Sequence, residues 1–364
     1  MAGKLEFAGD FESSDLVLMQ VDSHVLDAIE QGNQQVSFKA CGNDSVVLCT
    51  DTRTYSVKHA DVSNAHYVVP PDPEHASDVL AFPPGRPRQV RGNIASYFEL
   101  RHVDPSVAKV QELLRECEYN GPEEEAARNT QTLYTLDALL DVVRASREEL
   151  LTALHDMHAF EHDDHWRVLG ERYKFEVTDL LLKTAAGDDW IADGVPLDEC
   201  TASLAECDIP GFVVRAVLKE MATPLDDIGA RWRLDEAAVC RFRAQEFLQI
   251  GSSWDLDSFT ETWAASLPEG MHPNPDYLKG LALISKPSEL DEKQTVQYFP
   301  ASSLPVEPRA RFAALFSARS VWTDDDITPY IAGIVSKLQT REALLMKHAR
   351  GYEGKDGTRM YNQK

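Results

Sequence analysis

The clearest chemical pattern in the sequence is a group of cations close to its C-terminal end. Residues 337–364 contain seven lysines and arginines against three carboxylates, a net charge of +4, while the other 336 residues carry a net charge of −28. A positive stretch on an acidic chain is typical of a surface that binds phosphate. Nothing in the stretch resembles a set of base-reading side chains, so the sequence predicts weak, sequence-independent DNA binding. The alternative is a solvated tail that binds no ligand.

Four of these cations are candidate DNA contacts. A helix predicted over residues 340–350 places Lys347 and Arg350 three residues apart, on one face. Lys355 and Arg359 belong to a hairpin predicted around Asp356-Gly357, a favoured tight-turn pair. Three helices followed by such a hairpin are typical of a winged helix, the hairpin-bearing variant of helix-turn-helix.

Four histidines form a second pattern. His155, His158, His162 and His165 are spaced H-x-x-H-x-x-x-H-x-x-H. Imidazoles on one helix face can bind zinc, but a closed zinc site needs converging ligands. The spacing differs from H-E-x-x-H, no second ligand group with metal spacing occurs elsewhere, and the run passes from a helix end into a hairpin. We interpret the run as a polar loop and predict no metal site.

Acidic triplets lie at residues 123–125 and 324–326. The second triplet falls in the first turn of a predicted helix, where carboxylates stabilise the exposed amides and the helix dipole, so capping explains it without a metal. The chain has no G-x-x-x-x-G-K-[ST] phosphate loop, no G-x-S-x-G nucleophile motif and no set of kinase motifs. The sequence predicts neither an enzyme nor a bound cofactor.

The totals limit the class of protein. A chain of 364 residues fits about two to four domains. The net charge of −24 excludes a general nucleic-acid coat, since an acidic surface repels phosphate. The six cysteines include no C-x-x-C pair, which is typical of reduced intracellular thiols. We expect no secretory signal and no membrane span, because no apolar run approaches the required length.

Residues 1–104 are predicted to form a β domain. Val36, Phe38 and Ala40 alternate with polar neighbours, as in a half-buried strand. A proline-dense stretch at 70–87 interrupts the pattern, because proline cannot donate to a sheet. Six short strands are marginal for a closed barrel, so the sequence allows either a domain that closes by itself or one completed by another chain. The strand candidates are residues 16–21, 36–40, 46–49, 55–57, 67–69 and 94–101.

The rest of the chain is predicted to be mainly helical. Residues 105–128 contain a helix to about residue 116 and an exposed linker over 121–127. Helices followed by short hairpins then recur, in ranges of 129–195, 196–306 and 307–364, the last of them basic. The capping box Ser146-Arg-Glu-Glu149 begins one of these helices. The fold class predicted from the residues is therefore α+β.

Five phrases of the sequence, in order along almost the whole chain, resemble the sister chromatid cohesion proteins of the Dcc type. They are residues 51–64 (DTRTYSVKHADVSN), 266–271 (SLPEGM), 278–283 (LKGLAL), 315–331 (LFSARSVWTDDDITPYI) and 360–362 (MYN). The phrases at 266–271 and 322–331 are the most distinctive.

The resemblance implies a nuclear, non-catalytic subunit of an alternative replication factor C clamp loader. Its expected partners are two Ctf-class chromosome-transmission-fidelity subunits, the catalytic subunit of DNA polymerase epsilon, DNA and, indirectly, the sliding clamp. It further implies an N-terminal β-barrel-type domain completed by partner chains, three tandem winged helices, and an adaptor function in replication and cohesion. The implied DNA-facing residues are Arg341, Lys347, Arg350, Lys355 and Arg359.

Two other functions are compatible with tandem winged helices. A transcription regulator would carry base-reading side chains on a recognition helix and would usually form a symmetric dimer. A scaffold that binds only proteins would use the same modules without any DNA contact. A sequence-selective footprint favours the first, and DNA binding that is lost on charge reversal argues against the second.

Overall fold

The computed structural model describes residues 5–9, 17–32, 35–40, 45–70, 87–105, 108–127, 132–251, 253–285, 293–336, 338–354 and 356–364. The chain divides into two compact units. The first unit comprises residues 1–107 and 137–153, and the second comprises 108–136 and 154–364. Both units contain helices and sheets, so the predicted α+β class is confirmed.

The first 156 residues already differ from the sequence prediction in two places. A helix occupies Ser23–Gln31 where only strands and turns were expected, and residues 122–127 form a helix instead of an exposed linker. The elements are β1 (Leu5–Phe7), β2 (Leu18–Gln20), α1 (Ser23–Gln31), β3 (Ser37–Lys39), β4 (Val47–Cys49), β5 (Thr54–Val68), β6 (Arg88–Val90), β7 (Gly92–His102), α2 (Ala108–Glu116), α3 (Pro122–Ala127), α4 (Leu136–Val142) and α5 (Arg147–Asp156).

Local signals explain α1. The Asp22 carboxylate accepts a hydrogen bond from the Val25 amide at 2.9 Å, which caps the N-terminus, and Gly32 ends the helix with a φ of 62°. Val25 and Ala28, three residues apart, are the buried side chains of the helix. These cap residues and this spacing were present in the sequence, and the helix was missed because its strand-like neighbours dominated the interpretation.

A half-barrel-like sheet of five strands is the main feature of the first unit. Its order is β2-β7-β5-β4-β3, with β2 parallel to β7 and the other neighbours antiparallel. The predicted strands at 55–57 and 67–69 are two parts of β5, whose register with β7 shifts between Asp61 and His66. Within the described residues the sheet does not close, so β2 and β3 are edges.

Helices α4 and α5 also belong to the first unit over residues 137–153, although the sequence analysis placed this stretch in the first predicted winged helix. The predicted capping box is confirmed: the Glu149 amide donates to Ser146 Oγ at 3.2 Å, and the Ser146 amide donates to Glu149 Oε2 at 3.1 Å. Glu149 also accepts a hydrogen bond from Thr54 Oγ1 at 2.6 Å, which ties α5 to β5.

The second unit continues from the hairpin of β8 and β9 with alternating helices and short strands. Three short 3-10 helices lie at Pro275–Leu278, Ala301–Ser303 and Ala332–Ile334. The other elements are β8 (Phe160–His162), β9 (His165–Arg167), α6 (Glu171–Gly187), α7 (Trp190–Asp193), β10 (Val195–Pro196), α8 (Leu197–Ala205), α9 (Gly211–Met221), β11 (Ala222–Pro224), β12 (Arg231–Leu234), α10 (Glu236–Ile250), β13 (Trp254–Asp255), α11 (Leu256–Ser266), β14 (Ala282–Ile284), β15 (Thr295–Tyr298), α12 (Pro308–Ala318), β16 (Val321–Thr323), α13 (Asp324–Ile331), α14 (Arg341–His348), β17 (Ala349–Glu353) and β18 (Arg359–Gln363).

One arrangement recurs three times in this unit: a helix, a strand, at least two helical segments and two strands that form a hairpin, with the short helix α7 before the first strand in the first copy only. We name the repeats module A (residues 171–234), module B (236–298) and module C (308–363). Their sheets have the orders β10-β12-β11, β13-β15-β14 and β16-β18-β17, so the last strand is always central. The three predicted winged-helix ranges hold different parts of this series, because 196–306 contains module B together with most of module A.

Module C differs from its prediction at the third helix. The helix predicted over residues 340–350 ends at His348, since Ala349–Glu353 pairs with β18 as the strand β17. The prediction that Arg350 lies on this helix is therefore wrong. The predicted hairpin is confirmed, with a φ of 78° at Gly357. The Thr323 hydroxyl caps α13, and Asp324, Asp325 and Asp326 occupy its first turn as expected.

Candidate nucleic-acid and partner surfaces

Arg341 is held inside module C. Its Nη1 donates to Asp324 Oδ2 at 2.8 Å and to Thr328 Oγ1 at 2.9 Å, and the Tyr361 hydroxyl donates to Asp324 Oδ1 at 2.9 Å. Burial opposes ionisation of Asp324, but the hydrogen bonds from Arg341 and Tyr361 outweigh it and hold the pKa of this carboxyl below its usual value. The Arg341 guanidinium is thus engaged in tying α14 to α13 within the fold.

The other candidate DNA contacts do not share one face. Lys347 is exposed in the last turn of α14, and Arg350 is exposed on β17. Strand alternation places Arg350 and Tyr352 on one face of the hairpin, whereas Arg359 lies on the other. There the Arg359 guanidinium carbon lies 5.8 Å from the ring centre of the buried Tyr361. Lys355 lies outside the described residues.

The described candidate cations of module C are therefore distributed over more than one face. The exposed face of α14 also carries a large apolar side chain next to Lys347, since Met346 is 75% exposed. The Lys364 ammonium donates to the carbonyl of Met346 at 3.0 Å, where it compensates the C-terminal end of the helix. Lys347 on α14 and Arg350 on β17 remain as candidate cations with exposed side chains.

The open sheet of the first unit presents a second candidate surface. The predicted half-buried face of β3 is exposed at its centre, since Phe38 is 57% exposed. Its neighbour Lys39 turns inward instead, and its ammonium donates to the carbonyls of Leu140 and Ala145 at 2.8 and 2.9 Å. At the opposite edge, Leu18 on β2 is 41% exposed. Aromatic and aliphatic side chains on unpaired edges are the features by which sheets accept a further strand.

Helix α1 adds apolar area to the first unit. Val25 is fully buried against Leu48 and Tyr55, whereas Leu26 and Ile29 are 44% and 56% exposed. The exposed pair is three residues apart and lies on one helix face. Sequence reasoning left the open sheet as one of two alternatives and missed the exposed face of α1, because periodicity identifies an apolar face but does not show whether the same chain covers it.

The four histidines do not converge. His155 lies in the last turn of α5, His158 follows it with a φ of 51°, and His162 and His165 face each other at the end of the hairpin of β8 and β9. The His162 ring stacks on Phe212 with ring centres 4.0 Å apart. In the described part of the chain, no three side chains of His, Cys, Asp or Glu are placed to hold a metal ion.

Five of the six cysteines lie within the described residues, and none of these five is part of a disulfide there. Cys49, Cys117, Cys200 and Cys240 are buried and Cys207 is exposed, while Cys41 lies outside the described ranges. Burial raises the pKa of the Cys200 and Cys240 thiols to about 11 in each case. Among the described helices, none is both long and apolar enough to cross a bilayer.

These observations define a mixed α+β protein with an open N-terminal sheet and a series of helical modules that each carry a three-stranded sheet. Residues 16–331 match the family model for the sister chromatid cohesion protein Dcc1. The chain belongs to this family, as the resemblance in its phrases implied.

Proteins named sister chromatid cohesion protein DCC1 are similar to the chain over nearly its whole length. The protein of Danio rerio is 34% identical, with 99% of this chain and 92% of the relative covered. The protein of Homo sapiens is 30% identical over 98% of this chain and 89% of the relative. The protein of Saccharomyces cerevisiae is 25% identical over 96% and 97%.

Proposed function

We propose that the protein acts in sister chromatid cohesion as a non-catalytic adaptor subunit of an alternative replication factor C clamp loader. In this proposal two Ctf-class subunits complete its N-terminal β domain, and modules A, B and C are winged helices. The protein works in the nucleus and links the loader to DNA and to the catalytic subunit of DNA polymerase epsilon. It contributes indirectly to loading of the sliding clamp.

The observation that carries the proposal is the exposed apolar edge of an open sheet. Phe38 is 57% exposed at the centre of β3, and β3 has a neighbour on one side only within the described residues. An edge strand with free backbone groups and an outward aromatic side chain is a liability unless another strand covers it. A partner strand would satisfy the backbone and bury the aromatic ring together.

Replacing Phe38 by lysine tests this edge directly. Co-purification of the full-length protein with the two Ctf-class subunits should weaken by at least about 30-fold, because an interface anchor is worth roughly 2 kcal/mol or more. Ile250→Lys is the matched control, since Ile250 is 78% exposed at the end of α10 in module B and lies on no sheet edge. Unchanged binding by Phe38→Lys would remove the support for completion of the sheet at this edge.

The proposed contact with DNA is assigned to Lys347 and Arg350. Charge reversal at both residues should strongly weaken sequence-independent binding of the full-length protein to duplex DNA, and each lost phosphate contact should reduce the slope of log K against log salt by about 0.9. Arg341 is left unchanged, because its ion pair with Asp324 would confuse loss of binding with loss of folding. Arg215→Glu/Lys219→Glu on the exposed face of α9 is the matched control.

A protein-only scaffold is the second candidate function, and Met346 favours it. A large apolar side chain that is 75% exposed on α14 suits a protein contact better than a phosphate contact. In this case neither the wild type nor the charge-reversed protein binds DNA. Met346→Glu would then weaken binding of the polymerase subunit, while binding of the Ctf-class subunits would stay unchanged.

A further inference from the structure

The chain contains two Thr-Pro dipeptides, Thr223-Pro224 and Thr328-Pro329, and no Ser-Pro dipeptide. A hydroxyl residue followed by proline is the minimal substrate of proline-directed protein kinases, provided that the segment is extended and accessible. The fold places these two dipeptides in opposite settings, which makes each a control for the other.

Thr328 is inaccessible to a kinase. It lies inside α13, and its hydroxyl donates to the carbonyl of Asp324 at 2.7 Å. The same oxygen accepts a hydrogen bond from Arg341 Nη1 at 2.9 Å. A helical threonine whose hydroxyl is engaged on both sides offers neither the extended backbone nor the oxygen that phosphoryl transfer needs.

Thr223 has the opposite setting. It lies on β11, the edge strand of the module A sheet, where the backbone is extended and one side of the strand has no neighbour among the described residues. Strand alternation buries Ala222, opposite Leu234, and turns Thr223 toward solvent. The hydroxyl is therefore presented on an accessible, extended segment immediately before proline.

An exposed arginine, Arg233, lies directly opposite Thr223 and is placed to pair with a phosphate on it. The register pairs Thr223 directly with Arg233, and both side chains are exposed on the same face. Directly opposite residues have Cβ atoms about 5 Å apart, a span that an arginine side chain reaches easily. Within the described residues no hydrogen bond or ion pair engages the Arg233 guanidinium. Arg231 adds a second positive charge on this face.

The hairpin that carries this pair is held in one register. The Asp226 carboxylate accepts hydrogen bonds from the amides of Ala230 and Arg231 at 2.8 and 3.2 Å, and the Leu225 amide donates to the carbonyl of Arg231 at 2.8 Å. The Trp232 indole donates to the carbonyl of Gly229 at 2.8 Å. This turn keeps Thr223 opposite Arg233 before any phosphate is added.

We propose that Thr223 is a phosphorylation site for a proline-directed protein kinase and that Arg233 receives the phosphate. The kinase transfers the γ-phosphoryl group of ATP to Thr223 Oγ1. A bond forms between Oγ1 and the γ-phosphorus, the bond between that phosphorus and the β,γ-bridging oxygen breaks, and ADP leaves. The hydroxyl proton passes to the kinase's catalytic base. The phosphate adds a charge of about −2 to a face that holds two arginines, which removes its positive character and links the two strands.

The first test uses the full-length protein, a recombinant mitogen-activated protein kinase and magnesium ATP, followed by intact and fragment mass spectrometry. We expect one phosphate per chain, on Thr223. Thr223→Val should abolish it, Thr328→Val should leave it unchanged, and Pro224→Ala should slow it by at least about tenfold. Absence of phosphate at Thr223, or phosphate at Thr328 in its place, overturns the assignment.

The second test addresses Arg233. The second pKa of the phosphothreonine, followed by phosphorus NMR, should lie below its ordinary value of about 6, because a neighbouring guanidinium favours the dianion. Arg233→Gln should raise this pKa while leaving the extent of phosphorylation unchanged. Identical titration curves in the two proteins would overturn the role of Arg233. Phosphorylation of Thr223 does not require any of the partners proposed above.

Discussion

Replacing Arg167 by methionine should loosen the start of the second unit, because this arginine is the most completely buried cation of the described residues. Its side chain is 2% exposed, and its Nη1 and Nη2 donate to the two carboxylate oxygens of Glu125 at 2.8 and 3.0 Å. Its Nε donates to the carbonyl of Cys117 at 2.6 Å, and Nη2 donates to that of Glu118 at 3.2 Å. The guanidinium therefore joins β9 to the segment that follows α2 and to α3.

The expected cost follows from burial. Removing one partner of a buried ion pair costs about 3–5 kcal/mol, because the remaining charge has lost its counter-ion in a poorly solvated site. The Glu125 side chain is 32% exposed, so solvent compensates part of this loss and we expect the lower end, about 3 kcal/mol. This free energy corresponds to roughly a 100-fold larger equilibrium constant for local opening.

Native-state hydrogen exchange measures this local opening directly. A single melting temperature would combine the unfolding of several modules and would not resolve it. The informative amides are those of Tyr119, which donates to the carbonyl of Val168 at 2.8 Å, and Gly170, which donates to that of Tyr119 at 3.0 Å. In Arg167→Met both should lose protection by about 100-fold. Arg172→Met is the control, since Arg172 is 92% exposed in its pair with Glu176 and should change protection by less than about twofold.

Two comparisons test whether the buried ion pair stabilises this region and whether the unpaired charge is the cause. If Arg167→Met and Arg172→Met lose protection equally, the buried pair does not stabilise this region and the reasoning from burial fails. If the pair matters because it leaves an uncompensated charge when broken, adding Glu125→Leu to Arg167→Met should restore part of the protection. A double variant that is weaker than the single variant would contradict that explanation.

Two further predictions follow from shifted pKa values. The pKa of Asp324 is lower in the folded protein than its unfolded value of about 3.9, so its contribution to stability is complete above that pH and is lost as the pH falls through the folded value. Asp324→Asn, which weakens the bond to Arg341, should therefore destabilise module C at neutral pH and remove this acid dependence in tryptophan fluorescence titrations, whereas the same change at the exposed Asp325 should have little effect. Among the described cysteines, a thiol reagent at pH 8 should modify exposed Cys207 well before Cys200, whose pKa burial raises to about 11; mass spectrometry that finds Cys200 modified first would contradict this order.

Features encoded within a few residues could be predicted from the sequence. The capping box of Ser146 and Glu149 and the turn at Gly357 were both correct, because each depends on side chains or backbone freedom at positions close in the chain. The α+β class also followed from local apolar patterns. The α1 helix shows the limit of this approach, since its caps were visible but competed with strand signals on both sides.

The remaining errors arise from distant partners. Arg350 has a good helix propensity and follows a helical stretch, yet it lies on β17 because residues 349–353 pair with β18. Arg341 was predicted as a DNA-facing cation, and nothing in the sequence indicated its ion pair with Asp324, 17 residues earlier. Phe38 was assigned to a half-buried face, and the face is open. In each case the deciding contact, or its absence, involves residues that sequence periodicity does not connect.

The shared plan of the modules also limits what fold alone can say about function. Modules B and C each carry a tryptophan on their first strand, and its indole donates to a carbonyl near the end of the preceding helix: Trp254 to Phe247 at 3.2 Å and Trp322 to Leu315 at 3.1 Å. Modules B and C thus share this interior contact, whereas their exposed hairpin faces differ, with Gln297 in module B and Arg350 in module C. Under the proposed function, a difference in partner between these two modules would come from such exposed faces. Exchanging exposed residues between hairpins is therefore a sharper perturbation than deleting a module, since it changes the surface and leaves the design that supports it intact.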